Sequence, residues 1–229
     1  NTALKSLEVS DPSKLANIDL QNCTALTDLT CNRCDLAWVG LDGCTARNSI
    51  FTAGKRNLKP PTVSSGTSRE QLRCLSNQLT SLDVSSNSAL RILYCQDNPL
   101  TALDLSKNTA LQLLSFGSSN ITSIDLSKNT ALKHITCISG KLTELKVSGL
   151  STLEELCVEN CPNLRVLHCS QCALTKLEIA GCSALENLSC YDNQLTSIDA
   201  SGCTALDYLD CEDNKLESLK VNDCSSLAE

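Results

Sequence analysis

Several residue types on which common classes of protein depend are scarce in this sequence. Aromatic residues make up 3% of its 229 residues, which is low for an enzyme pocket or for the core of a β-sandwich. A basic surplus is missing too, because 19 Lys and Arg stand against 26 Asp and Glu, and the net charge is −7. Proteins that bind nucleic acids usually gather basic residues into one patch, so we expect no nucleic-acid partner.

Methionine and long apolar runs are absent as well. Because the chain has no Met, it lacks an initiator, and we expect it to have been cut from a longer protein. No apolar run approaches the roughly 20 residues that cross a bilayer, and no cationic stretch followed by an apolar one marks a signal peptide. Hydrophobic residues nevertheless make up 41%, which is enough for a folded core. We therefore expect a folded fragment that does not span a membrane.

The sequence does contain a repeat with a period of 21 residues. Each period holds two halves of the form L-x-x-L-x-L/C-x-x-N/C. We call the 10-residue half, which usually has Cys at its sixth place, half A, and the 11-residue half, usually L-T-x-L-D-L-S-x-N-x-A, half B. Clear pairs of halves cover residues 79–99, 100–120, 121–141, 174–194 and 195–215. The register extends over residues 4–227 and predicts one solenoid domain of about ten coils.

The apolar places of each half predict which side chains enter the core. The first, fourth and sixth places are apolar, and the fourth and sixth point the same way on an extended segment. The third, fifth and seventh places then point outward. The ninth place, Asn or Cys, lies where the chain turns, and an Asn side chain there can bond to backbone groups. One unit cannot bury its own apolar stripe, so the halves must stack into a continuous core.

Two stretches break the regular alternation of the halves. Residues 47–68 form a degenerate coil with Arg47 and Pro61 at leucine places, and we expect it to be the weakest coil. Residues 153–163 are an extra half, which either bulges from one side of a coil or swaps the two sides for every later half. The apolar pattern of LEELCV favours the swap. We predict the bulge, because a longer surface connection costs little and the rows of half A then stay continuous.

The unit L-x-x-L-x-C-x-x-N-x-L-x-x-L-D-L-S-x-N-x-x resembles the leucine-rich repeat of internalin-type bacterial surface proteins, including those with a cysteine ladder, from about Leu4 to Leu227. The resemblance implies a right-handed leucine-rich repeat solenoid. It would have parallel β-strands on one side and short extended or 3-10 segments on the other. The resemblance also implies export to the cell surface or outside the cell, and a protein-binding or adhesive role. No capping domain, cell-wall sorting motif or second domain is recognisable in the sequence.

The repeat accounts for almost all of the sixteen cysteines. The sixth place of half A holds Cys31, Cys74, Cys95, Cys137, Cys169, Cys190 and Cys211, and the ninth place of either half holds Cys23, Cys34, Cys44, Cys161, Cys172, Cys182, Cys203 and Cys224. We predict buried free thiols, because parallel side chains rarely reach the torsion of a disulfide. The C-x-x-C pairs, 31/34 and 169/172, follow from the spacing of the two places, so we expect no metal. Because such thiols tolerate a reducing compartment, the cysteines are compatible with a cytoplasmic location as well.

Cys157 is the cysteine that remains, at an outward fifth place beside Glu155 and Glu159. Carboxylates raise the pKa of a thiol, so we expect an incidental cysteine rather than a nucleophile.

The outward places of the two halves differ in variety. In half B they are monotonous Ser-Asp-Ser sets, whose row of acids predicts a solvated face rather than a calcium site. In half A they vary and include all three tyrosines and both histidines. Exposed aromatic residues are enriched at interface hot spots, so we predict a single binding face on half A. Its candidate residues are Arg73, Tyr94, His134, His168, Tyr191, Tyr208 and Asp210.

The sequence favours a non-enzymatic binding module. It has no G-x-S-x-G, no H-E-x-x-H and no Gly-rich phosphate loop. We expect a monomer without a cofactor that binds a protein partner, with a glycan as the other possibility. An intracellular scaffold and a structural spacer without its own binding face remain as alternatives.

Overall fold

The computed structural model describes residues 1–10, 17–26, 28–32, 38–40, 50–53, 70–76, 79–138 and 140–227. It describes no side chains at 10, 17, 28, 30–32, 38–40 and 50–53. Apart from 50–53, the predicted degenerate coil therefore lies outside the described residues, as do Cys34 and Cys44.

Short parallel strands build the molecule, and no helix occurs among the described residues. In chain order the strands are β1 (Ser6–Ser10), β2 (Asn17–Asp19), β3 (Asp28–Asn32), β4 (Trp38–Gly40), β5 (Ile50–Ala53), β6 (Gln71–Arg73), β7 (Ile92–Tyr94), β8 (Leu113–Ser115), β9 (His134–Thr136), β10 (Glu144–Lys146), β11 (Glu155–Cys157), β12 (Val166–His168), β13 (Lys176–Glu178), β14 (Asn187–Ser189), β15 (Ser197–Asp199), β16 (Tyr208–Asp210) and β17 (Ser218–Lys220).

The strands stack on two sides of a solenoid. On the side that we call the first side, nine strands form one sheet in the order β1-β3-β5-β6-β7-β8-β9-β11-β13, and β15 contacts β13 beyond it. On the second side β2 pairs with β4, extended segments that form no strand follow between residues 79 and 127, and then comes a sheet of order β10-β12-β14-β16. The predicted parallel solenoid is confirmed. The nearly continuous described stretch, residues 79–227, makes about seven turns, against about ten coils predicted for residues 4–227.

The core lies between the two sides and follows the predicted apolar places through most of the described halves, although Leu219 in the last half is 44% exposed. In the half that begins at Leu90, the first, fourth and sixth residues, Leu90, Leu93 and Cys95, are each 0% exposed. Since places four and six point inward on a strand, the side chains of all coils meet in one continuous column. Hydrophobic burial along this column is the main stabilising contribution to a repeat that has no other core.

The ninth place carries a ladder of polar side chains that bond one coil to the next. Asn98 is 1% exposed, and its Nδ2 donates to the carbonyl oxygens of Cys74 on the preceding coil at 2.8 Å and of Cys95 on its own coil at 2.9 Å. Its Oδ1 accepts the backbone N–H of Leu79 at 3.1 Å. These bonds satisfy backbone groups that the turn would otherwise leave buried and unpaired.

A cysteine at the ninth place donates to the same acceptor as asparagine does. The thiols of Cys161, Cys182 and Cys203 reach the carbonyl oxygen of the sixth residue on the preceding coil, at 2.9, 3.0 and 3.4 Å. The thirteen cysteines that the structure describes are all free, which confirms the predicted thiols over this part of the chain. Thiol S–H groups are weak donors, so these cysteines combine apolar packing with one hydrogen bond each.

The extra half swaps the two sides, and the predicted bulge is wrong. Its strand β11 pairs on the first side with β9 of half A and with β13 of half B. Strand β12, which belongs to half A, lies on the second side and pairs with β10 of half B. Every later half A is therefore on the opposite side from the earlier ones.

The swap follows from the apolar side chains of the extra half. Leu153, Leu156 and Val158 are 0%, 1% and 0% exposed, so all three enter the column where a bulge would leave them uncovered. The burial of three large side chains outweighs the small entropic advantage of a surface loop. Gly140 leaves room for this packing, since a Cβ at residue 140 would lie only 2.6 Å from the Cys137 sulfur.

Replacing Cys95 or Cys190 with serine should lower the free energy of unfolding by about 1–3 kcal/mol, because a hydroxyl would replace a buried apolar thiol. Both cysteines are 0% exposed. Cys157→Ser is the matched control and should be nearly neutral, because Cys157 is partly exposed and serine can replace its hydrogen bond to Glu178. Urea denaturation of the three variants provides the measurement. Equal losses at all three positions would contradict the core assignment.

Candidate binding surface

The swap divides the seven candidate residues between two sides, so the predicted single binding face is wrong. The first side presents Arg73, Tyr94 and His134, and the second side presents His168, Tyr191, Tyr208 and Asp210. Outward side chains of adjacent strands are neighbours in each group, whereas the two groups are separated by the core. A partner that contacts one group does not reach the other without wrapping around the solenoid.

On the first side, Arg73 and Tyr94 form a stacked pair. They are register partners on β6 and β7, and the guanidinium carbon of Arg73 lies 4.7 Å from the centroid of the Tyr94 ring. This is a cation–π contact between side chains of neighbouring strands. Ile92 and Leu113 flank the pair at half-buried outward places, and Ile138 is 39% exposed further along. Around β6 to β8 the first side therefore offers outward apolar side chains beside the Arg73 guanidinium.

His134 lies at the end of this surface and contacts the extra half. Its Nδ1 lies 3.3 Å from the Glu155 carboxylate on β11, the next strand of the sheet. Lys133, its neighbour in sequence, likewise pairs with Glu154 at 3.2 Å. These exposed pairs occupy His134 and Lys133, and each contributes little to stability. The extra half thus fits the strand before it in charge as well as in apolar pattern.

On the second side, Tyr208 is the most exposed candidate. It is 49% exposed, and it lies beside Asn187 in the register of β14 and β16. Together with Leu209, Asp210, Cys211 and Glu212 it lines an open cleft of about 500 Å³. Tyr191 and His168 lie on the preceding strands or just after them and are half-buried.

The Ser-Asp-Ser sets have a local structural explanation. The Oδ1 atoms of Asp83, Asp104 and Asp125 each accept the backbone N–H of the serine two residues later, at 2.9 Å. The hydrogen bond lowers the pKa of each of these carboxyls. The turn therefore favours Asp followed by Ser two residues later, which explains why these two places are monotonous. Because of the swap, Glu178 and Asp199 of the same predicted row lie on the first side.

Cys157 has the unreactive environment that the sequence predicts, but its main cause is different. Burial raises its pKa to about 11, and a hydrogen bond to Glu178 on the next strand adds to the shift. Glu178 also contacts Lys176 at 2.7 Å. Glu178 could not be recognised as its neighbour without the swap, although it lies one period of 21 residues after Cys157.

Among the described residues, no group of three or more His, Cys, Asp or Glu side chains is arranged to hold a metal ion. The same residues contain no helix long and apolar enough to cross a membrane.

Comparisons with known proteins identify the repeat. The family model "Leucine Rich repeats (2 copies)" matches residues 183–224. Among solved structures, the functional domain of InlJ from Listeria monocytogenes, which includes a cysteine ladder, has 29% sequence identity and a TM-score of 0.64. That match covers 99% of this chain and 52% of the InlJ chain. The chain carries leucine-rich repeats and resembles the internalins.

Two further structures are similar to this leucine-rich repeat chain. A leucine-rich repeat protein from Leptospira interrogans is 18% identical, over 93% of this chain and 65% of the other, with a TM-score of 0.49. An internalin, InlF from Listeria monocytogenes, is 22% identical, over 69% and 68% of the two chains, with a TM-score of 0.30. None of the curated proteins compared with the chain matches it in sequence. The chain spans about half the length of the InlJ chain that it matches.

Proposed function

We propose that this chain is a non-enzymatic module that binds protein partners through the outward side chains of its strands. The observation that carries the proposal is the contrast between the outward places. The Asp and the second Ser of each Ser-Asp-Ser set are bonded to each other in a turn, whereas the varied places hold tyrosines that the fold does not require. Because the swap places the varied groups on opposite sides, the module has two separate surfaces and can hold two partners at once.

We further propose that the module is exported and works at the cell surface or outside the cell. This rests on the likeness to InlJ, at 29% identity over nearly the whole of this chain. An intracellular scaffold is the second candidate, and the thirteen free thiols favour it because a reducing compartment would preserve them. Fractionation of the source cells, followed by detection of the chain with an antibody, separates the two.

Binding to an array of extracellular proteins tests the proposed function. Tyr94→Ala and Tyr208→Ala should each weaken the binding of a different set of partners by roughly 30-fold, as expected for loss of a tyrosine hot spot. The two sets should differ because the tyrosines lie on opposite sides. Ser123→Ala, in a Ser-Asp-Ser set, is the matched control and should leave all binding unchanged. If neither tyrosine variant weakens any partner that the unmodified chain binds, the module has no binding surface at these places.

A further inference from the structure

The second side ends in a surface of unusual composition, which we call the tyrosine patch and define by Asn187, Tyr191, Tyr208, Asp210 and Glu212. Strands β14 and β16 bring these residues together, with Asn187 opposite Tyr208 and Ser189 opposite Asp210. All of them occupy outward places. The patch combines one strongly exposed aromatic ring, a second half-buried ring and an open cleft beside them.

Negative charge around the patch is not neutralised. Residues 185–217 contain eight acidic residues and a single basic one, Lys215. Glu186 is paired with Arg165, at 2.9 and 2.7 Å. The carboxylates of the other acids on this side lie within ion-pair distance of no cation among the described residues, namely those of Asp192, Asp207, Asp210, Glu212 and Asp213.

Three acids outside the patch form ion pairs with lysines, which those of the patch lack. Glu144 and Glu178 pair with lysines on their own strands, and Asp199 pairs with Lys220 on the next, at 2.7 to 2.8 Å. Asp210 accepts the N–H of Glu212 at 3.4 Å, a longer contact than the 2.9 Å of the Asp83 turn. The fold therefore does not explain the charge of the patch.

The chemistry of the patch selects its partner. The face of a tyrosine ring attracts Arg and Lys side chains, and carboxylates form charge-assisted hydrogen bonds with them. The side-chain oxygen of Asn187 is buried and accepts no hydrogen bond among the described residues, so it could take a donor from a partner after rotation of the amide. An acidic partner would be repelled, and a purely apolar one would find too few large apolar side chains.

We propose that the tyrosine patch binds a basic polypeptide segment, rich in Arg and Lys, on a partner protein. The proposal rests on the function proposed above and names the partner chemistry of one of its two surfaces. In this arrangement Tyr208 stacks against a cationic side chain, and Asp210 and Glu212 hold the cations beside it. The first side, where Glu154, Glu178 and Asp199 are paired with lysines, binds partners of other chemistry.

Fluorescence anisotropy with short labelled peptides of equal length tests the proposal. One peptide alternates Arg and Ser, a second alternates Glu and Ser, and a third alternates Leu and Ser. The Arg peptide should bind the full chain, and Tyr208→Ala and the double variant Asp210→Asn/Glu212→Gln should each weaken it at least about fivefold. The double variant Asp97→Asn/Glu159→Gln removes the same charge from the first side and should change the affinity less than about twofold.

Four outcomes would overturn the proposal. The proposal is wrong if the Arg peptide does not bind, or if Tyr208→Ala leaves the affinity for that peptide unchanged. It is also wrong if the Asp97/Glu159 control weakens the binding as much as the Asp210/Glu212 variant does, because the attraction would then be a non-specific effect of net charge. If the Glu or Leu peptide binds in a manner that depends on Tyr208, the basic partner is wrong but the proposed binding function stands. The proposed function is tested separately by the protein array, in which it fails if neither tyrosine variant weakens the binding of any partner.

Discussion

Asn193→Ala should lower the free energy of unfolding by about 3 kcal/mol, the largest loss that we expect from one ninth-place side chain. The amide nitrogen of Asn193 donates to the carbonyl oxygens of Cys169, Cys190 and Tyr191 at 3.0, 2.9 and 3.3 Å. Its Oδ1 accepts the N–H of Leu174 at 3.0 Å, and the residue is 2% exposed. Alanine removes all four bonds and leaves the Cys169 carbonyl oxygen and the Leu174 N–H without this partner in the core, where each unpaired group costs more than the net value of a hydrogen bond. The carbonyl oxygens of Cys190 and Tyr191 keep the bonds that they accept from Asn214 and Gln171.

Asn193→Cys is the matched control and should cost only about 1 kcal/mol. On the preceding coil the same place holds Cys172, whose thiol donates to the Val147 carbonyl oxygen at 3.2 Å. A thiol at 193 can therefore bond to the equivalent Cys169 carbonyl. Urea denaturation of both variants against the unmodified chain gives the measurement. Equal losses for alanine and cysteine would mean that the ninth-place hydrogen bond contributes nothing and that packing alone matters.

The repeat predicts the fold because one residue pattern fixes both direction and burial. Places four and six lie two residues apart on an extended segment, so they share a face, and no other arrangement buries every leucine. The burial of Leu93 and Cys95 in one coil and of Leu188 and Cys190 in another follows from this rule alone. The sulfur hydrogen bonds do not, because a Cys in a core pattern first suggests an apolar residue.

The swap could have been predicted from spacing, which the composition of the halves obscured. Leu132, Leu153, Leu174, Leu195 and Leu216 are each 21 residues apart, so the first side keeps one period through the extra half. On the second side the spacing from Leu142 to Leu164 is 22 residues. If the halves are classified by residue type, with Cys in half A and Asp-Ser in half B, this row of leucines at a constant spacing is not recognised. Geometry follows the spacing, since a coil closes by length and not by composition.

The candidate surface was less predictable than the fold, for the same reason. Arg73 and Tyr94 lie 21 residues apart within a regular stretch, so their contact follows from the period. His134 and Glu155 are also 21 residues apart, but their contact depends on which side the extra half takes. The prediction of one varied face joined residues that the core separates. Which charged side chains neutralise each other can likewise be predicted only when the neighbour of each strand is known.

Deletion of residues 153–163 should return every half A to the first side and unite the two candidate groups on one face. Thr152 would then precede Leu164, and the strand at 166–168 would pair with β9 in place of β11. Cys172 would reach the ninth place of that coil, where its thiol can donate to the Cys137 carbonyl oxygen as Cys161 now does at 2.9 Å. The apolar core and the ladder of ninth-place hydrogen bonds therefore both remain continuous without the deleted half, and we expect the variant to fold.

A photo-reactive amino acid incorporated at Thr136 detects the change of neighbour. In the full chain Thr136 is the register partner of Cys157, so the cross-link should form to residues 155–159. In the deletion variant the new neighbour is the strand at 166–168, at the strand spacing of about 5 Å, and mass spectrometry should place the cross-link there. A cross-link to residues 166–168 in the full chain would contradict the swap. The same deletion should make one partner depend on both Tyr94 and Tyr208, because both rings would then face the same way.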